Sequence, residues 1–187
     1  MEEKRHVLDI LRQTKSAIRD KDIVKLKDLS NQTIHSASIS QDEINITLAV
    51  VIYSISKIIE RTNYKHYPQF KECCSSIEDG INKSIDFLER GAEESFAGEL
   101  QNIITELKNT GGSLKKHIEE VFKKARINKA SRMYEHGISL EKTAKLLGIS
   151  IFELAEYTGN TGIPDVNLGI TMPIKERIKL AEEIFEK

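Results

Sequence analysis

The sequence is poor in the two residues that interrupt helices. Only three of its 187 residues are proline, and no glycine occurs before Gly80. Proline and glycine are the least favourable residues in the interior of a helix. Their scarcity favours long helices over most of the chain.

Cysteine is also scarce, and the two that occur, Cys73 and Cys74, are adjacent. Neighbouring cysteines are a poor disulfide pair and do not have the spacing of zinc ligands. We therefore expect two reduced thiols on a helix, as in a cytoplasmic protein. The sequence also lacks a phosphate loop, a dinucleotide-binding motif and a nucleophile elbow, so no cofactor or metal is expected.

Long apolar runs are missing as well. The longest covers residues 46–55, about ten residues where a membrane span needs about twenty. The charged N-terminus has no apolar region of the signal-peptide type. We expect a soluble protein with no membrane partner.

Charge of one sign does not dominate either, because the formal net charge is −1. Nucleic-acid-binding proteins are usually basic, so any such activity must reside in a local patch. The chain has no tryptophan and is rich in lysine, glutamate and isoleucine. This composition favours a prokaryotic, archaeal source.

What the sequence does contain is a succession of apolar residues at helical spacing. They predict a first helix that ends near Arg19 and a second that is capped by Asp20 or Asp22. A third helix is predicted from about Asp42 to Arg61. Its many β-branched residues would suit a strand, but about twenty residues without a turn signal favour a buried helix.

The helical pattern continues to the glycine pair that follows Thr110. Pro68 suits the first turn of the next helix, whose apolar period continues past Gly80, and a further helix ends just before the pair. We place a domain boundary there. Residues 1–110 are predicted to form an N-terminal helical bundle, and residues 111–187 a helix-turn-helix region with an amphipathic tail helix.

The second region is predicted to begin with a long helix from Ser113 to about His136. Its tail, residues 160–187, is expected to hold a loop, a short extended stretch at residues 166–171 and a last helix that begins at Pro173. The fold class predicted for the whole chain is all-α.

The most specific local pattern is GISLEKTAKLLGISIFELAEYTG, residues 137–159. Ser139 and Ser150 stand where two successive helices need N-caps. Between them, Ala144 is small enough for the helices to cross closely, and Gly148 supplies the positive φ of a tight turn. The pattern predicts a helix-turn-helix.

The longer stretch SRMYEHGISLEKTAKLLGISIFELAEYTG, residues 131–159, resembles small archaeal helix-turn-helix proteins of the antitoxin type. The resemblance implies a regulatory role in a homodimer or in a small complex with a protein partner. Thr143 stands where the family has the first alanine of an Ala-Ala pair. The residues that match the family pattern are Tyr134, Gly137, Ser139, Leu140, Ala144, Leu146, Leu147, Gly148, Ile149 and Ser150.

The second helix of this motif lacks the side chains that usually read DNA. A recognition helix presents residues near its N-terminus to the bases, typically Arg, Lys, Asn or Gln. None of these occurs in residues 150–156. Ile151 and Phe152 would be exposed apolar groups, which mark protein contacts, so partner binding is predicted at these two residues.

The helix before the motif has the opposite character. It is rich in lysine and arginine, and basic residues on an exposed helix can bind phosphates. Nucleic-acid binding is therefore predicted at one set of residues on this helix. They are Lys115, Lys116, Lys123, Lys124, Arg126, Lys129 and Arg132.

Two further segments contain side chains that are candidates for catalysis or metal binding. Arg61 and His66 have the Arg-x4-His spacing of HEPN-type helical ribonucleases, which implies acid–base cleavage by His66 with Arg61 on the phosphate. The other segment is polar, residues 30–43, and its serines and threonines favour a helix break or helix ends. It offers a metal or binding site, or else a polar turn with cap residues, at His35, Asp42 and Glu43.

Together these features predict a non-enzymatic regulatory or adaptor protein. In the first hypothesis, the helix-turn-helix and the basic helix bind DNA, RNA or a ribonucleoprotein. In the second, the motif docks a protein partner or a second copy of the chain without nucleic-acid contact. A HEPN-like ribonuclease is the third hypothesis.

Overall fold

The computed structural model describes residues 2–112 and 114–160, and this part of the chain is helical with no β-strand. The predicted all-α class is confirmed for these residues. The predicted cap at Ser113, the extended stretch and the tail helix lie outside the described residues. The elements are α1 (Glu2–Asp20), α2 (Ile23–Ser40), α3 (Glu43–Glu60), a 3-10 helix (Thr62–His66), α4 (Phe70–Glu89), α5 (Glu93–Lys108), α6 (Leu114–Glu135), α7 (Leu140–Leu147) and α8 (Ile151–Asn160).

Helix α3 is buried on nearly every side. It contacts α1, α2, α5, α6 and α7, and most of its residues, including the β-branched Ile46, Val51 and Ile55, are buried. A helix that is apolar all round belongs in a protein interior. The prediction of a helix over residues 42–61 is confirmed, because packing on all sides outweighs the modest helix propensity of β-branched residues.

Small hydroxyl residues line the contact between α2 and α3. Ser30 donates a hydrogen bond across it to the Ala49 carbonyl (2.6 Å), and Thr33 and Ser38 donate to carbonyls one turn back in α2. All three side chains are buried. Because their hydroxyls are satisfied, they let the two helices approach closely without a desolvation penalty.

Helix ends fall where the sequence places cap residues. Asp22 accepts a hydrogen bond from the Lys25 N–H (2.9 Å) and Asp42 accepts one from the Ile44 N–H (3.0 Å). The polar segment 30–43 therefore includes a helix end, at Ser40, as expected. Helix α4 begins at Phe70, so Pro68 precedes its first turn rather than lying in it.

One cluster of buried apolar residues extends from Val7 in α1 to Leu154 in α8. It lies on both sides of residues 110–111, the predicted domain boundary, because α6 packs on α2, α3 and α5. Gly112, with φ 69°, lies in the turn between α5 and α6. Among the described helices, none has the length and hydrophobicity that a membrane crossing requires.

Gly80 is the point of closest approach between α4 and α5, and it generates our first prediction. A Cβ at this position would lie 2.4 Å from Cγ1 of Ile103. We expect Gly80→Ala to lower the free energy of unfolding by about 1–3 kcal/mol through overpacking. The measurement is urea denaturation followed by circular dichroism.

Gly98 provides the matched control for this substitution. It also lies inside a helix, but a Cβ there would meet nothing within 4 Å. Gly98→Ala should therefore raise stability by up to about 1 kcal/mol, the difference in helix propensity. Equal effects of the two substitutions would contradict the close-packing role of Gly80.

Candidate nucleic-acid interface

Helices α7 and α8 are joined by a tight turn. Ser139 Oγ accepts a hydrogen bond from the Lys142 N–H (3.3 Å) and so caps α7. Gly148 ends α7 with φ 61°, in the left-handed region that favours glycine. Ala144 is 2% exposed. The predicted cap at Ser139 and the predicted positive φ at Gly148 are confirmed.

The start of α8 is stabilised by a reciprocal cap. Ser150 Oγ accepts a hydrogen bond from the Glu153 N–H (3.1 Å), and Glu153 accepts one from the Ser150 N–H (3.2 Å). Such a capping box satisfies two backbone donors at once. Glu153 also forms an ion pair with Lys123 of α6 (2.9 Å). The hydrogen bonds from Lys123 and then Ser150 lower the pKa of Glu153 to about 2.

The outer face of α8 is apolar and acidic. Phe152 is 87% exposed and Ile151 is 44% exposed. Ala155 and Glu156 are also exposed. The helix contains no lysine or arginine, so it offers no cation to a phosphate.

The seven predicted nucleic-acid-binding residues all lie on α6, but they do not share one surface. Lys124 faces a groove beside α3, whereas Arg126 lines a depression with Lys145 of α7. Two residues apart on a helix, side chains point in different directions. The exposed members of the set are Lys115, Lys116, Lys123, Lys124 and Arg132, and Arg126 is half-buried.

Lys129 is the exception among these basic residues, because its side chain is fully buried. Its Nζ donates a hydrogen bond to Asn31 Oδ1 (2.9 Å) and lies 4.5 Å from the centroid of the Tyr53 ring. Burial, with the nearby charge of Arg132, lowers the pKa of Lys129 to about 7. The expectation that Lys129 is exposed with the other bases is wrong: it occupies the apolar face of α6, after Ile118, Phe122 and Ala125.

A groove of about 470 Å³ lies between α3, α6 and α8, and we call it the tyrosine groove. Its α3 side carries Tyr53 and Lys57, four residues and so one helical turn apart. The α6 side carries Lys124 and Asn128 with the same spacing. The complete lining is Tyr53, Lys57, Glu60, Arg61, Val121, Lys124, Ile127, Asn128 and Tyr157.

Three cations and one carboxylate line the tyrosine groove. The carboxylate, Glu60, accepts hydrogen bonds from Lys27 (2.6 Å) and Lys57 (2.8 Å). These bonds lower the pKa of Glu60, so its carboxylate stays charged and hydrogen-bonded to the two lysines. Arg61 and Lys124 complete the basic lining, which gives the groove an excess of positive charge.

An aromatic cluster positions Arg61. Its Nη1 donates to the hydroxyl of Tyr64 (2.5 Å), and its guanidinium lies 5.5 Å from the centroid of that ring. Tyr64 is itself buried and packs beside Tyr67 and His117. A guanidinium has five N–H donors, so the bond to Tyr64 fixes the side chain while further donors can serve an anion.

A second carboxylate, Glu120, lies one turn before Lys124 on α6 and is not part of the groove lining. It forms an exposed ion pair with Lys124 (2.6 Å). Its pKa is lowered first by the hydrogen bond from Lys124, with a smaller contribution from the charge of Arg61. Solvent screens an exposed ion pair of this kind, so a phosphate can compete with Glu120 for the lysine.

The remaining sequence candidates lie elsewhere. His66 is exposed at the end of the 3-10 helix and is not part of the groove lining. His35 contacts His136, with Nδ1 and Nε2 3.4 Å apart, while Asp42 serves as the cap of α3. Among the described residues, no group of three or more histidine, cysteine or carboxylate side chains could hold a metal ion.

Both predicted thiols lie on α4 and are free. Cys73 is buried and Cys74 half-buried. Burial raises the pKa of Cys73 to about 12, so this thiol stays protonated. Neither cysteine is available as a thiolate nucleophile at neutral pH.

Comparison of the chain with protein-family models, with curated proteins and with solved structures finds no match.

Of the groove lining, sequence reasoning singled out only Arg61 and Lys124; the residues it missed include Tyr53, Lys57 and Tyr157. A local signal existed for the first two, since they precede Arg61 by eight and four residues and so share its helical face. For Tyr157 there was none, because its place depends on how α8 packs against α6.

The buried position of Lys129 generates our second prediction. In the unfolded chain its pKa returns to 10.5, so from pH 7 upward the unfolded state binds more protons and stability rises with pH. Below pH 7 both states are protonated and the full cost of burying the ammonium is present. Lys129→Met should raise the free energy of unfolding by about 1 kcal/mol or more at about pH 6.

The gain should shrink as the pH approaches about 9, where the native lysine is neutral. Urea denaturation of both proteins across this range is the measurement. A methionine variant that is less stable than the native protein at about pH 6 would mean that the contacts with Asn31 and Tyr53 outweigh desolvation.

Proposed function

We propose that this is a non-enzymatic regulatory or adaptor protein that binds nucleic acid, or the nucleic acid of a ribonucleoprotein, in the tyrosine groove. The observation that carries the proposal is the combination of Lys57, Arg61 and Lys124 with two tyrosines in one concave site. Cations bind the phosphate backbone, and aromatic rings offer surfaces on which bases stack.

In this proposal α7 and α8 are the helix-turn-helix, and residues 111–187 follow an N-terminal bundle as a second region. The role assigned to the motif is to form one wall of the groove, through Tyr157, rather than to enter the major groove of DNA. The acidic and apolar face of α8 supports this assignment, because base-reading helices carry Arg, Lys, Asn or Gln.

The basic surface continues from the groove onto α6. Lys123 and Lys124 are adjacent, and Lys116 lies two turns before them on the same exposed side. The Lys123–Glu153 ion pair is exposed, so it contributes little stability in water. A phosphate can therefore replace the Glu153 carboxylate as the partner of Lys123. Of the seven basic residues predicted on this helix, the proposal uses these three and leaves out Lys115, Arg126, Lys129 and Arg132.

Our third prediction concerns the cations of the groove. Replacing both Arg61 and Lys124 by alanine should weaken binding of mixed-sequence nucleic acid on the order of tenfold at low salt. It should also reduce the slope of log affinity against log salt by about 0.7–0.9 for each phosphate that is no longer neutralised. Fluorescence anisotropy over a series of salt concentrations measures both quantities.

Two single variants serve as controls. Lys15→Ala removes an exposed lysine of α1 that does not line the groove and should leave affinity unchanged. Glu120→Gln removes the competing carboxylate and should strengthen binding by about two- to threefold, the value of an exposed ion pair. If Lys15→Ala weakened binding as much as the double variant, attraction by overall charge rather than the groove would be responsible.

A second candidate function, protein docking, is favoured by the exposure of Ile151 and Phe152. Within the described residues Phe152 is the most exposed large apolar side chain, and the two neighbours form an apolar spot at the start of α8. Such a spot suits a protein partner or a second copy of the chain. This function is compatible with nucleic-acid binding, because the spot is separate from the groove lining.

The fourth prediction separates the two functions. Phe152→Ser should change the free energy of unfolding by no more than about 0.5 kcal/mol, since the side chain is exposed, and should leave nucleic-acid affinity unaltered. If the spot joins two copies, the substitution should abolish a dimer detected by sedimentation velocity. A native protein that stays monomeric at every concentration would contradict self-association through this spot.

Ribonuclease activity, the third hypothesis, requires His66 and Arg61 to face one phosphate. Arg61 lines the groove, and His66 is exposed on the 3-10 helix outside it. The arrangement of the described residues therefore favours binding over cleavage.

A further inference from the structure

We propose that the tyrosine groove accepts an unpaired nucleotide, so that the protein selects single-stranded over duplex nucleic acid. The inference rests on the proposed function and names the form of nucleic acid that the same site takes. It follows from the shape of the site, from the nature of its walls and from the position of its cations.

The groove is concave and has the dimensions of a small-molecule site. Its volume, about 470 Å³, falls within the range of pockets that enclose ligands of nucleotide size. A duplex presents only its outer backbone and groove edges to a protein, with every base stacked and paired. Only a strand whose bases are unpaired can place one of them inside such a site.

The walls of the groove suit a nucleobase. Tyr53 comes from α3 and Tyr157 from α8, so aromatic side chains from two helices line the site. Stacking on tyrosine tolerates any base, because every base has a π-face. Asn128 adds an amide that can both donate to and accept from the edge of a base, and Val121 and Ile127 add apolar surface to the lining.

The cations stand where the phosphates of such a nucleotide would lie. Lys57 is one turn beyond Tyr53 on α3, and Arg61 one turn beyond Lys57. Lys124 faces them from α6. A base held by the tyrosines therefore has its backbone beside these three side chains, and Arg61 is already oriented by Tyr64 (2.5 Å).

The exposed residues of α8 argue against the alternative of duplex binding. A helix that reads a duplex must offer hydrogen-bond donors on its outer face, and this face offers Phe152 and Ile151 instead. On α6, Lys124 and Arg126 line different depressions and point in different directions, so these two cations do not follow one duplex backbone.

The experiment compares a fluorescently labelled oligouridine and an oligodeoxyuridine with a self-complementary duplex of the same length, by anisotropy at one low salt concentration. We expect both single strands to bind at least about tenfold more tightly than the duplex. Tyr53→Leu and Tyr157→Leu should each remove most of this preference while leaving duplex affinity unchanged. Phe152→Leu, an aromatic substitution outside the groove, should have no effect.

A second measurement needs no substitution. The protein has five tyrosines and no tryptophan, so its intrinsic fluorescence comes from tyrosine, and stacking of a base should quench it. Quenching by the single strands but not by the duplex supports the inference. The same measurement covers the case in which a tyrosine variant fails to fold.

The outcomes distinguish failure of the unpaired-nucleotide inference from failure of the proposed nucleic-acid binding. Equal affinity for single strands and duplex, without tyrosine quenching, overturns the unpaired-nucleotide inference and leaves nucleic-acid binding in place. Absence of binding to every oligonucleotide overturns the proposed function itself. A preference for oligouridine over oligodeoxyuridine, which differ only in the 2′-hydroxyl, would assign RNA as the ligand, and equal affinity of these two would mean that the 2′-hydroxyl is not read.

Discussion

The burial of α3 is the constraint on which the rest of the structure depends. A helix of 18 residues with so much apolar surface must be covered on all sides, and α1, α2, α5, α6 and α7 supply that cover. The cover ends near the C-terminus of α3, where Tyr53, Lys57 and Glu60 emerge. Among the described residues, the tyrosine groove is therefore one of the places where α3 is not covered by the surrounding helices.

Helix α6 connects this core to the proposed interface. Its apolar face, with Ile118 and Phe122, packs into the bundle, while Lys124 and Asn128 face the groove and Lys123 pairs with Glu153 of α8. One helix thus fixes the distance between the basic residues and the helix-turn-helix. The packing that stabilises α6 also orients its basic side chains. The proposed interface is therefore largely formed before any ligand arrives, which lowers the entropic cost of binding.

Local features of the fold could be predicted from the sequence, and long-range ones could not. Caps such as Asp22, Asp42 and Ser139 depend on a few neighbouring residues, so their chemistry is visible in the chain. The groove depends on three helices that are far apart in sequence, and no local pattern joins Tyr53 to Tyr157. The burial of Lys129 could have been predicted, because this residue continues the helical spacing of the apolar Ile118 and Phe122. It was grouped with the other basic residues because of its charge alone.

Lys129 also gives the groove a variable electric field. Its ammonium lies 4.5 Å from the ring of Tyr53, which forms part of the groove wall, and it has a pKa of about 7. Lowering the pH therefore protonates the amine and adds positive potential beside the Tyr53 ring, and raising the pH removes it. An anion bound on the other side would in turn stabilise the protonated amine, so its arrival is thermodynamically linked to the uptake of a proton from solvent.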